Sequence, residues 1–241
     1  MISKLTSSVD EAVSGIPDGA VVMIGGFGRA GQPVELIDAL LAQGATDLTV
    51  INNNAGNGDT GLAALLAARR VRRIICSFPR QSDSHVFDAL YRAGDIELEL
   101  VPQGNLAERI RAAGAGIGAF FTPTGFGTAL AEGKETREID GRHYVLEHAL
   151  HADVALVSAY RADRWCNLVY RKTARNFGPI MAAAATTTIV QVDEIVELSA
   201  LDPESVVTPG IYVNRVVAVG ERAWLRDGEF IGAASVEGAT S

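Results

Sequence analysis

Cysteine is scarce in this 241-residue chain: there are two, Cys76 and Cys166, and neither belongs to a C-x-x-C pair. Two thiols cannot build a disulfide framework, and a chain of this length does not need one to hold a core. Nothing in their spacing supports a zinc site. Both read as reduced thiols, with Cys76 buried in a strand. Histidine is nearly as sparse. His85, His143, His148 and His151 are scattered, and only the last two have i, i+3 spacing. No third ligand accompanies them, so all four read as structural or exposed, and no metal is expected.

Net positive charge is also missing. The formal charge is −8, a poor balance for gripping nucleic acid, which calls for a basic face. The one basic run, "RRVRR" at Arg69–Arg73, reads as a solvated helix end. Long apolar runs are absent too. A membrane span takes about 20 residues, and "AFFTP" and "IMAAAATTTIV" are shorter and read as core. The opening "MISKLTSSVDEAVSG" has polar residues where a secretion signal has an apolar run. The expectation is a soluble, cytoplasmic protein that binds neither nucleic acid nor membrane.

What is present is core material: 48% of residues are hydrophobic, enough for one large domain. Short apolar runs alternate with helix-period segments. "AVVMIG" (Ala20–Gly25) reads as a strand buried on both faces. The following "PVELIDALLAQG" reads as a helix, with Pro33 in its first turn and Gly44 as its C-terminal cap. "DLTVINNN" and "RIICSF" are further strands. "DTGLAALLAARR" is a helix capped by Asp59, and "SHVFDALYRAG" a helix ending at Gly94. "IELELVPQG" alternates as a fourth strand. "NLAERIRAAGAG" opens with Asn105 and Glu108 in capping-box spacing. This alternation predicts an α/β fold, a mostly parallel sheet flanked by helices, with function at the carboxyl ends of its strands. The second half adds a hairpin at Asp140-Gly141 and strands in "DVALVSAY", "TTTIVQVDEIV" and "GIYVNRVVAV". Residues 1–219 read as the domain and residues 220–241 as a loosely ordered tail.

"GGFGRAG" places G-x-G-x-x-G at Gly26, Gly28 and Gly31. A dinucleotide site puts the third glycine inside the first helix and an acidic residue at the end of the second strand. Pro33 leaves Gly31 outside the helix, and the second strand ends in Asn52, Asn53 and Asn54. NAD is therefore not expected. The glycines then serve either close backbone approach to a ligand or a tight strand-to-helix turn.

Several segments, in order, resemble one family. "DGAVVMIGGFGRAGQP" (Asp18–Pro33), "NNNAG" (Asn52–Gly56), "PQGNLAERIRAAGAGIGAFFTPTGFGT" (Pro102–Thr128), "DRWCNLVYRKTARNF" (Asp163–Phe177) and "TPGIYVNRV" (Thr208–Val216) are similar to the A (alpha) subunits of class I, 3-oxoacid-type coenzyme A transferases. The resemblance covers roughly residues 3 to 219. Over Cys76–Arg109 it is strongest to the branch acting on 3-oxoadipate, the acetoacetate-type branch being the alternative.

The resemblance implies the family fold, a partner B subunit in an A2B2 assembly, and CoA transfer from succinyl-CoA to a 3-oxo acid without a cofactor. The family's nucleophilic Glu lies in a Ser-Glu-Asn-Gly motif of the B subunit. That motif is absent here, so no catalytic residue is assigned to this chain. The resemblance implies that Gly25, Gly26, Phe27, Gly28 and Gly31 let an acyl group approach the backbone. Asn53 and Asn54 are expected to donate to its oxygens and Gln103 to bind a carboxylate or carbonyl; the alternatives are a self-satisfying Asn-rich turn and a strand-end surface amide. Arg80, just past the third strand, is a candidate for the distal carboxylate of a dicarboxylic substrate, or a surface arginine. Cys166 takes a position where the family has Gly, and reads as a passive turn residue. Two rival classes are a sugar-phosphate isomerase or deaminase and a non-catalytic binding module of related fold.

Overall fold

The computed structural model describes residues 4–81 and 83–220. Helix α1 (Val9–Val13) opens at Ser8, whose hydroxyl accepts from the Glu11 amide at 3.1 Å. Strand and helix then alternate as β1 (Val21–Ile24), α2 (Val34–Gln43), β2 (Leu48–Ile51), α3 (Leu62–Ala67), β3 (Val71–Cys76), α4 (His85–Ala93), β4 (Glu97–Leu100) and α5 (Gln103–Gly114). The second half supplies β5 (Ala119–Thr122), β6 (Thr136–Ile139), β7 (Arg142–His148), β8 (Ala152–Asp163), β9 (Leu168–Val169), α6 (Gly178–Ala184), β10 (Ala185–Val196) and β11 (Arg215–Ala218).

The main sheet runs β11-β10-β8-β1-β2-β3-β4 with every pair parallel, and β9 adds to β8 antiparallel. Helices cover both faces, and the alternation of β1 shows why. Val22 and Ile24 point into one core with Leu36 and Leu40 of α2, Leu65 of α3 and Phe87 of α4. Met23, between them, points into the other with Leu106 and Ile110 of α5 and Met181 of α6. A strand enclosed on both sides has no polar face to show. The chain builds away from β1 in two directions, so the crevice beyond the ends of β1 and β8 is a topological switch point, where open parallel sheets hold ligands.

The α/β architecture and the expected strands are present, except that "GIYVNRVVAV" opens as a 3-10 turn, Gly210–Tyr212, and becomes a strand only at Arg215; Gly44 caps α2 in the left-handed region at φ 99°. The Asp140-Gly141 turn has φ 51° and 74°, the pair of positive values a two-residue hairpin favours. Four local expectations are corrected. Pro33 is the N-cap of α2 rather than its first helical residue. Helix α3 begins after Gly61, not at Asp59. Helix α5 begins at Gln103, two residues before the capping box expected at Asn105, and Asn105 is a buried residue inside it. The arginine run is no helix end: Arg72 and Arg73 lie in β3, where Arg72 pairs with Asp47 and Glu97 and Arg73 with Glu99. Most of the expected tail lies outside the described residues, and no described helix is long and apolar enough to cross a membrane.

Antiparallel β5-β7-β6 form a second sheet, tied to the main body by one buried charge. The Glu147 side chain, 4% exposed, accepts from Lys134 Nζ at 2.7 Å and from Asn105 Nδ2 at 3.2 Å. Arg109, 3.8 Å away, also binds Glu99 and the His148 carbonyl. Removing one member of a buried ion pair strands the others. Glu147→Ala should therefore lower unfolding free energy by about 3 kcal/mol in urea titrations, and Glu147→Gln, which keeps two acceptor lone pairs and its volume, by clearly less.

Candidate functional site at the strand ends

The carboxyl ends of β1, β2 and β3 and the start of α5 supply the site. The loop after β1 stays in register for one residue, with the Gly25 amide donating to Leu156 O at 2.9 Å. It then folds on itself: Phe27 N donates to Ala30 O at 3.0 Å, and Ala30 N returns to Phe27 O at 3.2 Å. Gly28 and Arg29 form the tip, and the Phe27 ring stands 49% exposed beside it. The amides of Gly26, Gly28 and Gly31 have no acceptor among the described residues.

The loop glycines have separable reasons. At Gly31, with φ 72°, a Cβ would lie 2.2 Å from the Ala174 carbonyl oxygen. At Gly26 it would press on Gln32 at 3.2 Å, and at Gly28 it would meet open space. Packing thus demands Gly31, while Gly28 answers only to its φ of 60°. Gly31 precedes α2, as the argument against a dinucleotide requires.

Asn52, Asn53 and Asn54 are each 1% exposed. Asn52 Nδ2 donates to Ile24 O at 2.6 Å, tying the end of β2 to the end of β1. Asn52 Oδ1 accepts from Asn54 N at 2.8 Å and Asn54 Oδ1 from Gly56 N at 2.9 Å. These are Asx turns, so the self-satisfying reading holds for both carbonyls. The buried Asn54 amide nitrogen has no partner among the described residues. Asn53 Oδ1 accepts from Ser77 Oγ at 2.7 Å and from Gln103 Nε2 at 2.8 Å. Asn53, Asn54 and Gln103 are therefore brought together, with Ser77 as a member the residue patterns did not single out. Its only signal is its place just after β3.

Arg80 does not join them. Its Nε donates to Asp88 of α4 at 2.6 Å and its guanidinium lies 5.8 Å from the Tyr91 ring centroid. Asp88 already supplies the carboxylate that was expected from a substrate, so the surface reading applies. Two cations that the residue patterns left aside do reach the loop. Lys172 and Arg175, with Phe27, Ala30, Thr173 and Asn176, line a cleft of about 520 Å³. Asn176 Nδ2 closes its base by donating to Ala30 O at 2.9 Å.

Cys166 has φ 66°, the left-handed region that makes Gly the easier residue there. The turn is imposed on it: Asp163 Oδ1 accepts from the amides of Trp165 and Asn167, and Cys166 N donates to Asp163 O at 2.8 Å. Burial pushes the Cys166 thiol up to about 11 and the Cys76 thiol up to about 12. Neither is poised as a nucleophile. His143 stacks on Phe126, His85 pairs with Asp83, and no group of three metal-ligating side chains comes together among the described residues.

A family model described as "Coenzyme A transferase" matches residues 6–219. The chain belongs to this family. It is 70% identical over 223 residues to the A subunit of 3-oxoadipate CoA-transferase from Pseudomonas putida, covering 92% of this chain and 96% of that one. It is 65% identical to the protein of the same description from Acinetobacter baylyi, over 91% and 96%. Among solved structures, an acyl-CoA transferase thioester complex from Escherichia coli O157:H7 shares the fold at TM-score 0.81 and 23% identity. The match covers 95% of this chain and 52% of that one.

Two outcomes follow from the geometry of this CoA-transferase chain. Gly31→Ala should cost more than about 2 kcal/mol in denaturant unfolding, because a backbone carbonyl occupies the methyl position, while Gly28→Ala should cost only about 1 kcal/mol for its left-handed φ. With both thiols buried and protonated at pH 8, an aromatic disulfide reagent should label neither Cys76 nor Cys166 in the native chain over minutes, and both after denaturation. Fast native labelling of Cys166 would contradict its passive place in the turn.

Proposed function

We propose that the chain is the A subunit of a 3-oxoadipate CoA-transferase, moving CoA from succinyl-CoA to 3-oxoadipate in the degradation of aromatic compounds. The observation that carries the substrate is the 70% identity over 92% of the chain to a relative of that description. The division of labour rests on the site's chemistry. Ser77 and Gln103 each donate to Asn53 Oδ1, which leaves the second Gln103 amide hydrogen and the loop amides to offer, and none of these residues is a carboxylate nucleophile.

In this reading the thioester carbonyl of succinyl-CoA is attacked by a Glu of the B subunit, and CoA thiolate leaves an acyl-glutamyl anhydride. The thiolate attacks the glutamyl carbonyl, giving a glutamyl-CoA thioester and free succinate. A carboxylate of 3-oxoadipate attacks that thioester, and the returning thiolate then takes the 3-oxoadipyl group and frees the Glu. No step needs a metal or redox cofactor. The amides of Gly26, Gly28 and Gly31 and the exposed Gln103 side chain point to the role of neutral donors for oxygens that gain negative charge. Being uncharged, they leave the partner's carboxylate its nucleophilicity. An A2B2 assembly in the cytoplasm, where CoA thioesters are made and used, completes the reading.

The purified chain alone should show no exchange between succinyl-CoA and 3-oxoadipate, and mixing it with its B subunit should restore it; activity of the chain by itself would refute the divided site. In the assembled enzyme, Gln103→Ala should lower kcat/KM about a hundredfold with assembly unchanged by size-exclusion chromatography.

A further inference from the structure

The cleft beside the glycine loop has two cations with no ion-pair partner among the described residues. Some arginines lean on carboxylates, Arg72 on Asp47 and Glu97, Arg109 on Glu99, Arg161 on Glu194, while surface arginines such as Arg92 and Arg164 form no ion pair among the described residues; Lys172 and Arg175 differ from these in sharing one cleft. Lys172 and Arg175 form no ion pair among the described residues, although the chain carries a net charge of −8. They are the two ends of a 3-10 turn, Lys172–Arg175. Both side chains line the same cleft. The turn is held against the loop. The Ala174 carbonyl fills the space a Cβ at Gly31 would take, and Asn176 Nδ2 bonds both Ala30 O and Thr173 O at 2.9 Å. Lys172 itself is kept at φ 50°, a left-handed conformation that a lysine holds only under constraint.

We propose that Lys172 and Arg175 receive the distal carboxylate of the acyl group and thereby set a preference for dicarboxylic substrates; this rests on the transferase function proposed above. Phe27 and Ala30 give the methylene chain an apolar wall on its way from the loop amides to the cations. Arg175 can meet a carboxylate with two parallel N–H donors, and Lys172 adds a mobile point charge one turn away. Two cations in one cleft give a distal carboxylate two places to pair, which suits acyl groups of different length, the four-carbon succinyl group and the six-carbon 3-oxoadipyl group. The CoA phosphates are the other anions within reach of such a site.

The test uses the assembled two-subunit enzyme carrying Lys172→Gln and Arg175→Gln, singly and together. The double variant should lose about a hundredfold in kcat/KM for succinyl-CoA with 3-oxoadipate, the worth of charge-assisted hydrogen bonds. Exchange between acetoacetyl-CoA and acetoacetate, which have no distal carboxylate, should change less than about threefold. Equal losses for both pairs would overturn the assignment. If the variant instead ceases to distinguish succinyl-CoA from its 3′-dephospho analogue while its preference among acids survives, the cations hold the CoA phosphate and the proposal falls. Loss of assembly in size-exclusion chromatography would assign them to the subunit interface, and it falls equally. Should the wild-type enzyme turn over no dicarboxylic acid, the proposed function fails by itself. Calorimetric binding of succinate, present in the wild type and absent in the double variant, would still decide for or against the receptor.

Discussion

The Ala174 carbonyl oxygen stands 2.2 Å from the place where any side chain at position 31 would begin. That contact welds two stretches far apart in the sequence: the loop that leaves the central strand and the turn that follows β9. Once they are pressed together, much else is settled. The loop has to close through the paired Phe27 and Ala30 bonds, the Phe27 ring is left standing beside the cleft, and Asn176 must reach the Ala30 carbonyl. The same contact accounts for Gly31 by packing, so a glycine spacing that mimics a dinucleotide fingerprint has a structural reason of its own. The helix that follows has no side-chain cap of its own. Its third amide, Leu36 N, is satisfied at 3.0 Å by Gln191, a fully buried residue of β10.

At the ends of β2 and β3 the site is an array of amides, while the charges of Lys172 and Arg175 stay with the turn that carries Ala174. Buried carbonyl oxygens are expensive unless bonded, and those of Asn52, Asn53 and Asn54 are all used internally. Their use fixes which way each amide faces. What remains is the donor end, and the Asn54 nitrogen has nothing within the described chain to donate to.

Much of the fold was legible because its signals are local. β1, β2 and β3 announce themselves as short apolar runs, and the Asp140-Gly141 hairpin as a dipeptide with its own turn geometry. The failures share one cause, which is competition from a distant residue. Asp59 is a good cap by type, yet Gly61 starts α3, and a Cβ there would strike Gln32 Oε1 at 2.7 Å. Asn105 and Glu108 have capping-box spacing, yet Asn105 is drawn inward to Glu147, 42 residues on. "RRVRR" looked like a solvated end because its partners, Asp47, Glu97 and Glu99, come from neighbouring strands that pairing alone brings alongside. The same applies to the site. Asn53, Asn54 and Gln103 could be named in advance from their motifs, whereas Ser77 enters through a bond across β2 and β3. Arg80 has the right chemistry but finds Asp88 first.

One proportion of the sheet has a mechanical meaning. β1 pairs with β8 only as far as Ile24 and Leu156, while β8 and β10 stay paired on to Asp163 and Val196. From Leu156 to Asp163 that is roughly 23 Å of extended chain, at about 3.3 Å per residue. The crevice therefore resembles a quay more than a tunnel: a tall rigid bank on the β8 side and a low one over the ends of β2 and β3. Cargo has an unobstructed berth on that low side, and sealing it against water during a reaction is a task that falls to the assembled enzyme rather than to this polypeptide.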